Sequence, residues 1–328
     1  MKRNVLFLLA LLLRVLSGNA QVPDDAAVSL ASTGESFAEH PTDFVTSSDG
    51  TLIAVHESGP LQGKPLVFLH GWSASGNVWV RQQLSPALRQ YHILAIDLRG
   101  HGYSGKPTNP SAYANPNLFA DDVNAVIQQL HLHRPALIGW SLGAGVIMEY
   151  LQKFGESLIS GVDIVDSLAC PDAAIAQLAT TELKNDPFIP PLVSDDAPTN
   201  FAGIVVYVKL FASGLPTSSG PLTPGDESTL QDILLSTPVF VRENYVHGVG
   251  AAITSDFGAV LAGLTVPVLL QGAHNDQVFA QDLLIPAEAA VIKNPTVKFY
   301  PLGGHIPFFV FPESFNRDLA EWLETLRF

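Results

Sequence analysis

"ALIGWSLGAGVIMEYL", residues 136–151, places a serine between two glycines in Gly139-Trp140-Ser141-Leu142-Gly143. The glycine–any–serine–any–glycine pattern is weak alone, since at ordinary Gly and Ser usage a chain this long holds one by chance roughly one time in six. Its setting gives it weight. The apolar "ALI" reads as a strand, and the run from Leu142 to Phe154, closed by Gly155, reads as a helix. A strand that turns through a serine directly into a helix lifts the hydroxyl above the sheet edge. Small residues two places to either side relieve crowding in that turn. The same Gly-Trp-Ser triplet stands upstream in "LVFLHGWSASGNVW", but there Ser75 replaces the second glycine and no strong helix follows. Ser141 is the candidate nucleophile, and Ser73 reads as incidental.

A serine hydroxyl needs a base, and the base needs an orienting acid. His305 lies in "YPLGGHIPFFVFPESF", in a glycine-rich loop between the last strand pattern and the last helical one. The order serine, acid, histidine fits it as the base. Two acids sit past strand patterns between them: Asp276 in "VPVLLQGAHNDQVF" and Asp166 in "GVDIVDSLAC". Chain order and loop length favour Asp276, with Asp166 as its rival. His131 and His133, two apart, would face different sides of a helix and are set aside as metal ligands. His40, His56, His92 and His247 lack supporting context, and His274 reads as a loop residue. No metal and no cofactor is expected.

Outward from the serine, short apolar runs at 52–56, 66–69, 93–97, 136–138, 161–165, 266–270 and 297–300 read as strands. Helical patterns fall at 118–130, 142–154 and 313–326. Continuous Val/Ile/Leu runs imply strands buried on both faces, and strand–helix alternation implies a mostly parallel sheet with helices on both sides. The rhythm breaks between about 168 and 255, where prolines cluster and apolar helical fragments such as "NFAGIVVYVKLFASG" replace strands. That stretch reads as a helical cap insertion. The organisation expected is a signal peptide at 1–20, a mobile leader at 21–40, a core at 41–167 and 256–328, and the cap at 168–255.

Taken together, Gly139–Gly143, "LHGW" at 69–72, "DLRGHGYSGKP" at 97–107, "QGAHND" at 271–276 and "GGH" at 303–305 resemble the α/β-hydrolase superfamily. The likeness runs from about residue 43 to the C-terminus and is strongest for small carboxylesterases, cofactor-free haloperoxidases and epoxide-hydrolase-like proteins. It implies an α/β-hydrolase fold. Epoxide hydrolases and haloalkane dehalogenases carry aspartate at the elbow; this chain has serine, so an acyl intermediate is implied instead. The resemblance also assigns the oxyanion hole to the backbone N–H groups of Trp72 and Leu142. Two fixed donors aimed at a developing oxyanion are worth about 3–4 kcal/mol each. A competing motif, "GHGYSG" at 100–105, spells the dinucleotide fingerprint, but that motif must open a helix. Pro107, Pro110 and Pro116 follow instead, so nucleotide binding is rejected and Asp97 and Arg99 read as structural anchors.

Lys2 and Arg3 precede nine apolar residues, and Gly18 and Ala20 follow where a signal peptidase cuts. Nine residues are too few to cross a bilayer, so secretion without stable membrane insertion is expected. Removing residues 1–20 deletes three cations and no acid, taking the net charge from −14 to −17. Such a surface repels nucleic acid and anionic membranes. The single cysteine, Cys170, allows no internal disulfide, and 47% hydrophobic residues supply a core without one. These features point to a secreted serine hydrolase for a small-to-medium hydrophobic ester or lactone. Phe188, Phe201, Val206, Tyr207, Phe211 and Phe240 of the insertion are candidates for an apolar pocket. A proton-transferring, ring-opening enzyme using the same triad and a hydrolase-like binding protein are the alternatives.

Overall fold

The computed structural model describes residues 41–167, 169, 172–175, 186–215, 217–218, 220–246 and 256–328. The expected signal peptide and leader, with His40, Cys170 and His247, lie outside them. Eight strands form one sheet: β1 Asp43–Thr46, β2 Leu52–Ser58, β3 Pro65–Leu69, β4 His92–Ile96, β5 Ala136–Trp140, β6 Gly161–Val165, β7 Val268–Ala273 and β8 Thr296–Tyr300. Their order is β1-β2-β4-β3-β5-β6-β7-β8. β1 pairs antiparallel with β2 and β2 with β4, and every later pairing is parallel.

The apolar strands bury both faces, as their sequences require. Val67, Leu94, Ile96 and Leu137 join one core cluster; Leu66, Phe68, Ile93 and Ile138 join the other. Helices α1 (Pro116–Gln129) and α2 (Leu142–Phe154) pack into the first cluster. The insertion supplies α3 (Ala197–Ser213), α4 (Pro224–Leu235) and α5 (Val239–Asn244), and the core resumes with α6 (Gln281–Val291) and α7 (Pro312–Leu323). α7 closes the second cluster through Phe315, Leu319, Trp322 and Leu323.

Local chemistry sets the cap helices. Asp196 accepts the Thr199 N–H at 3.0 Å to start α3, and Gly214, at φ 71°, ends it. Thr223 and Asp226 form a reciprocal capping box on α4. The guanidinium of Arg242, buried without a carboxylate partner among the described residues, donates to the carbonyls of Leu192, Leu234 and Thr237 and to Asn200 Oδ1. It thereby ties the cap helices together.

Two strands depart most from the sequence reading, while β2 and β5 each run two residues past their expected ends. β1 is an additional edge strand that buries only Val45, too faint a pattern to register. β7 starts later and runs farther, to Ala273. Pro267 delays its start, and polar Gln271 is accommodated because its amide donates to Asp163 Oδ2 at 2.7 Å and accepts the Tyr300 hydroxyl at 2.7 Å.

Candidate active site

Ser141 sits between β5 and α2 at φ 53° and ψ −116°. A non-glycine residue there costs on the order of 1–3 kcal/mol and persists only where its surroundings hold it. Its N–H donates to the Val165 carbonyl at 3.0 Å, and its side chain makes no capping bond to the helix. The flanking glycines answer to sterics. A Cβ on Gly139 would lie 2.6 Å from Ile147 Cδ1 and 2.7 Å from Ala144 Cα. One on Gly143 would lie 2.3 Å from the Leu69 carbonyl oxygen and 2.9 Å from that of His70. The second clash shows how closely the loop after β3 rides on the start of α2. Trp72 belongs to that loop and Leu142 is the first residue of α2, where backbone N–H groups have no acceptor within the helix.

The structure joins His305 to Asp276, with Nδ1 2.8 Å from Asp276 Oδ2. Asp276 Oδ1 accepts backbone N–H bonds from Val278 at 2.8 Å and Phe279 at 3.2 Å, which fix the carboxylate. Both side chains are buried. With Nδ1 committed to an acid, Nε2 is the nitrogen left to exchange a proton. The rings of Phe211, Phe279 and Trp140 stand 5.1, 5.2 and 5.4 Å from the imidazole, so its surroundings are apolar. Asp166 is close as well: one oxygen of each acid and one nitrogen of His305 lie within 4.8 Å of one another.

Sequence reasoning missed several residues here. Trp140, the variable position before the serine, donates its indole N–H to the His305 carbonyl at 2.7 Å. The neighbour of Ser141 thus holds the backbone of His305. The Ser73 main chain is tied on both sides: its N–H donates to His101 Nε2 at 3.2 Å, and its carbonyl accepts the Thr237 hydroxyl at 3.2 Å from the cap. His70 accepts the Leu98 N–H at Nε2 (3.0 Å) and donates from Nδ1 to the Gly71 carbonyl (2.7 Å). His101 likewise pairs Nδ1 with the Arg99 carbonyl at 3.1 Å. Each imidazole uses one nitrogen as acceptor and the other as donor, so both are neutral. Burial pushes His70 down to about 4 and His101 well below its usual value. The signal available in the sequence was only that both histidines abut a glycine.

The anchors behave as expected. Asp97 accepts the N–H groups of Gly76 (2.6 Å) and Tyr103 (2.7 Å) and pairs with His56 at 3.2 Å. Arg99, buried, is held by Asp122 and Asp49. The "GHGYSG" segment is a loop closed by Gly100 N–H to the Gly105 carbonyl, with no helix opening from it. Of the pocket candidates, Tyr207 and Phe211 are buried beside Trp72, Trp140 and His305, and Phe188 and Val206 are partly buried. Phe201 and Phe240, at 49% and 38% exposure, are surface residues instead.

A strained serine at a strand–helix elbow and, in the loop after β8, a buried imidazole paired with an acid are the features of a serine-hydrolase-type enzyme. Residues 64–312 match the family described as alpha/beta hydrolase fold, and the chain belongs to that family. It is similar to a non-heme haloperoxidase of Rhodococcus erythropolis, 28% identical over 86% of this chain and 99% of the relative. It is also similar to a bifunctional esterase/perhydrolase of Acinetobacter calcoaceticus, 24% identical over 86% and 99%. Among solved structures, an esterase from Rhodococcus sp. ECU1013 superposes with a TM-score of 0.73 at 25% identity, covering 87% of this chain and 99% of that one.

Proposed function

We propose that the protein is a secreted hydrolase that cleaves a small-to-medium hydrophobic carboxylic ester or lactone through an acyl-enzyme on Ser141. The bond between His305 Nδ1 and Asp276 Oδ2, at 2.8 Å, carries this reading. His305 takes the Ser141 proton at Nε2 as the oxygen attacks the substrate carbonyl. Asp276 fixes the ring's tautomer and stabilises the imidazolium, and the N–H groups of Trp72 and Leu142 receive the oxyanion. The alcohol leaves with the proton from His305, and water then repeats the sequence on the acyl-enzyme. In a lactone the leaving alcohol stays attached to the acyl group, so the same steps open the ring.

The substrate class follows from the lining and from relatives. Phe211, Phe279 and Trp140 surround the imidazole with aromatic surface, and Tyr207 packs on Phe211 and Trp72. The similar Acinetobacter and Rhodococcus proteins carry the word esterase in their names. Secretion rests on the N-terminal sequence, and no described helix is long and apolar enough to cross a membrane. The test is turnover of p-nitrophenyl acetate and a lactone panel by the wild-type chain and Ser141→Ala, with a fluorophosphonate probe reporting the nucleophile. Ser141→Ala should lose labelling and lose turnover by about 10⁴-fold or more. Labelling and turnover that survive Ser141→Ala refute the proposal.

A further inference from the structure

Asp166 is the buried acid that the cycle above does not use. It follows β6 as Asp276 follows the neighbouring parallel strand β7. Its backbone sits at φ 42°, a left-handed conformation unusual for a residue with a side chain. Ala273 ties the two acids: its N–H donates to Asp166 Oδ1 at 3.0 Å, and its carbonyl accepts the Asp276 N–H at 3.2 Å.

The two carboxyls are provided for unequally. Asp276 receives two backbone N–H groups, the His305 imidazole, and the Gln281 amide at 3.4 Å. Asp166 receives one N–H, and its Oδ2, wholly buried, has no hydrogen-bond partner among the described residues. Two carboxylates beside a single imidazole, out of water, do not both ionise. The charge belongs on Asp276, where the donors are. Burial, and then the Asp276 charge, push the Asp166 carboxyl well above the ordinary carboxylate range.

We propose that Asp166 is a reserve acid for His305, kept protonated while Asp276 is present and able to take over the orienting role when Asp276 is lost. The proposal rests on the triad reading above. Deleting the Asp276 side chain removes the charge that opposes ionisation and opens space beside the ring. The Asp166 O–H then breaks, its proton passes to solvent, and the new carboxylate accepts the Nδ1–H of His305. One oxygen of each acid and one imidazole nitrogen already lie within 4.8 Å of one another, and movement of the Asp166 side chain closes the remaining gap. Asp166 is a positioning residue in this scheme and never touches substrate.

The test is a double-mutant cycle on the full chain with p-nitrophenyl acetate: wild type, Asp276→Ala, Asp166→Asn, the pair, and Ser141→Ala. Asp166→Asn alone should cost less than about tenfold in kcat, and Asp276→Ala about 10- to 100-fold. The pair should fall about 10⁴-fold, the scale on which a triad without its acid operates. A merely structural role for Asp166 would cost the same factor in both backgrounds. Equal factors, or an Asp276→Ala already as poor as the pair, overturn the proposal. Should Asp276→Ala not fold, Asp276→Ser, which keeps an acceptor for the Val278 N–H, gives the same cycle. Undiminished turnover in Ser141→Ala would instead overturn the triad reading, a separate outcome.

Discussion

Gly143 shows how one absent atom shapes the site. Its hydrogen lets the Leu69 and His70 carbonyls come within 2.3 and 2.9 Å of where a Cβ would stand, and these are backbone atoms that cannot swing aside. Gly143→Ala must therefore push apart the elbow and the loop that carries Trp72. We expect a loss of about 1–3 kcal/mol, the usual range for overpacking, in urea unfolding. Turnover should fall as well, because the same displacement separates Trp72 from Leu142. Unchanged stability would mean the two segments are less closely packed than the structure has them. The motif was legible because a strand–helix elbow demands small residues on both flanks of its serine, and for Gly139 the crowding atoms belong to Ala144 and Ile147 of the same stretch. Trp140 was not legible, because its partner, the His305 carbonyl, lies 165 residues away and any donor of suitable reach would satisfy it.

Between elements, the cap and the histidine loop are bolted together at the C-terminal end of α3. The His305 N–H donates to the Phe211 carbonyl at 2.6 Å, and Gly304, at φ 59°, leaves room for that approach. Asn275 bridges the same two pieces: Nδ2 donates to the Ser213 carbonyl at 2.9 Å, and Oδ1 accepts the Gly304 N–H at 3.0 Å. The amide supplies both roles at once, donor and acceptor. Asn275→Leu keeps the bulk and removes both bonds, so the loop that carries the imidazole is loosened at Gly304 while the apolar lining remains. The expected result is a fall in kcat of about 10- to 100-fold with KM changed little, the pattern of a misplaced catalytic group. A raised KM with unchanged kcat would assign Asn275 to substrate binding instead. The sequence showed that a helical insertion lies between the fifth and sixth expected strands, because proline clustering and apolar helical runs are properties of the segment itself. It did not show this bolt, which exists only once α3 has folded back over the sheet. β1 escaped for a related reason, since its identity as a strand comes from pairing with β2.

Across the whole molecule, the buried ionisable groups pull stability in opposite directions as pH falls. Asp163, Asp166 and Glu288 are pushed well above the carboxylate range by burial. Each binds its proton more readily folded than unfolded, so acidification through their window favours the native state. His70 and His101 act the other way. Their Nε2 lone pairs hold the Leu98 and Ser73 N–H groups, and protonation would break those bonds. An unfolded histidine protonates near pH 6.5, whereas burial holds folded His70 down to about 4. The His70 contribution is therefore complete above pH 6.5 and lost progressively as pH falls toward 4, by on the order of 3 kcal/mol. Because the buried acids offset part of this, the wild-type curve alone does not isolate it. The difference between wild type and His70→Gln does, since glutamine keeps an amide donor and acceptor but carries no titrating proton. Urea unfolding at pH 7 and pH 4 should show wild type losing ground to the variant on acidification. A difference that stays constant across that window would mean His70 takes up its proton equally in the folded and unfolded states, and that the loop carrying Trp72 is held by something other than its neutral imidazole.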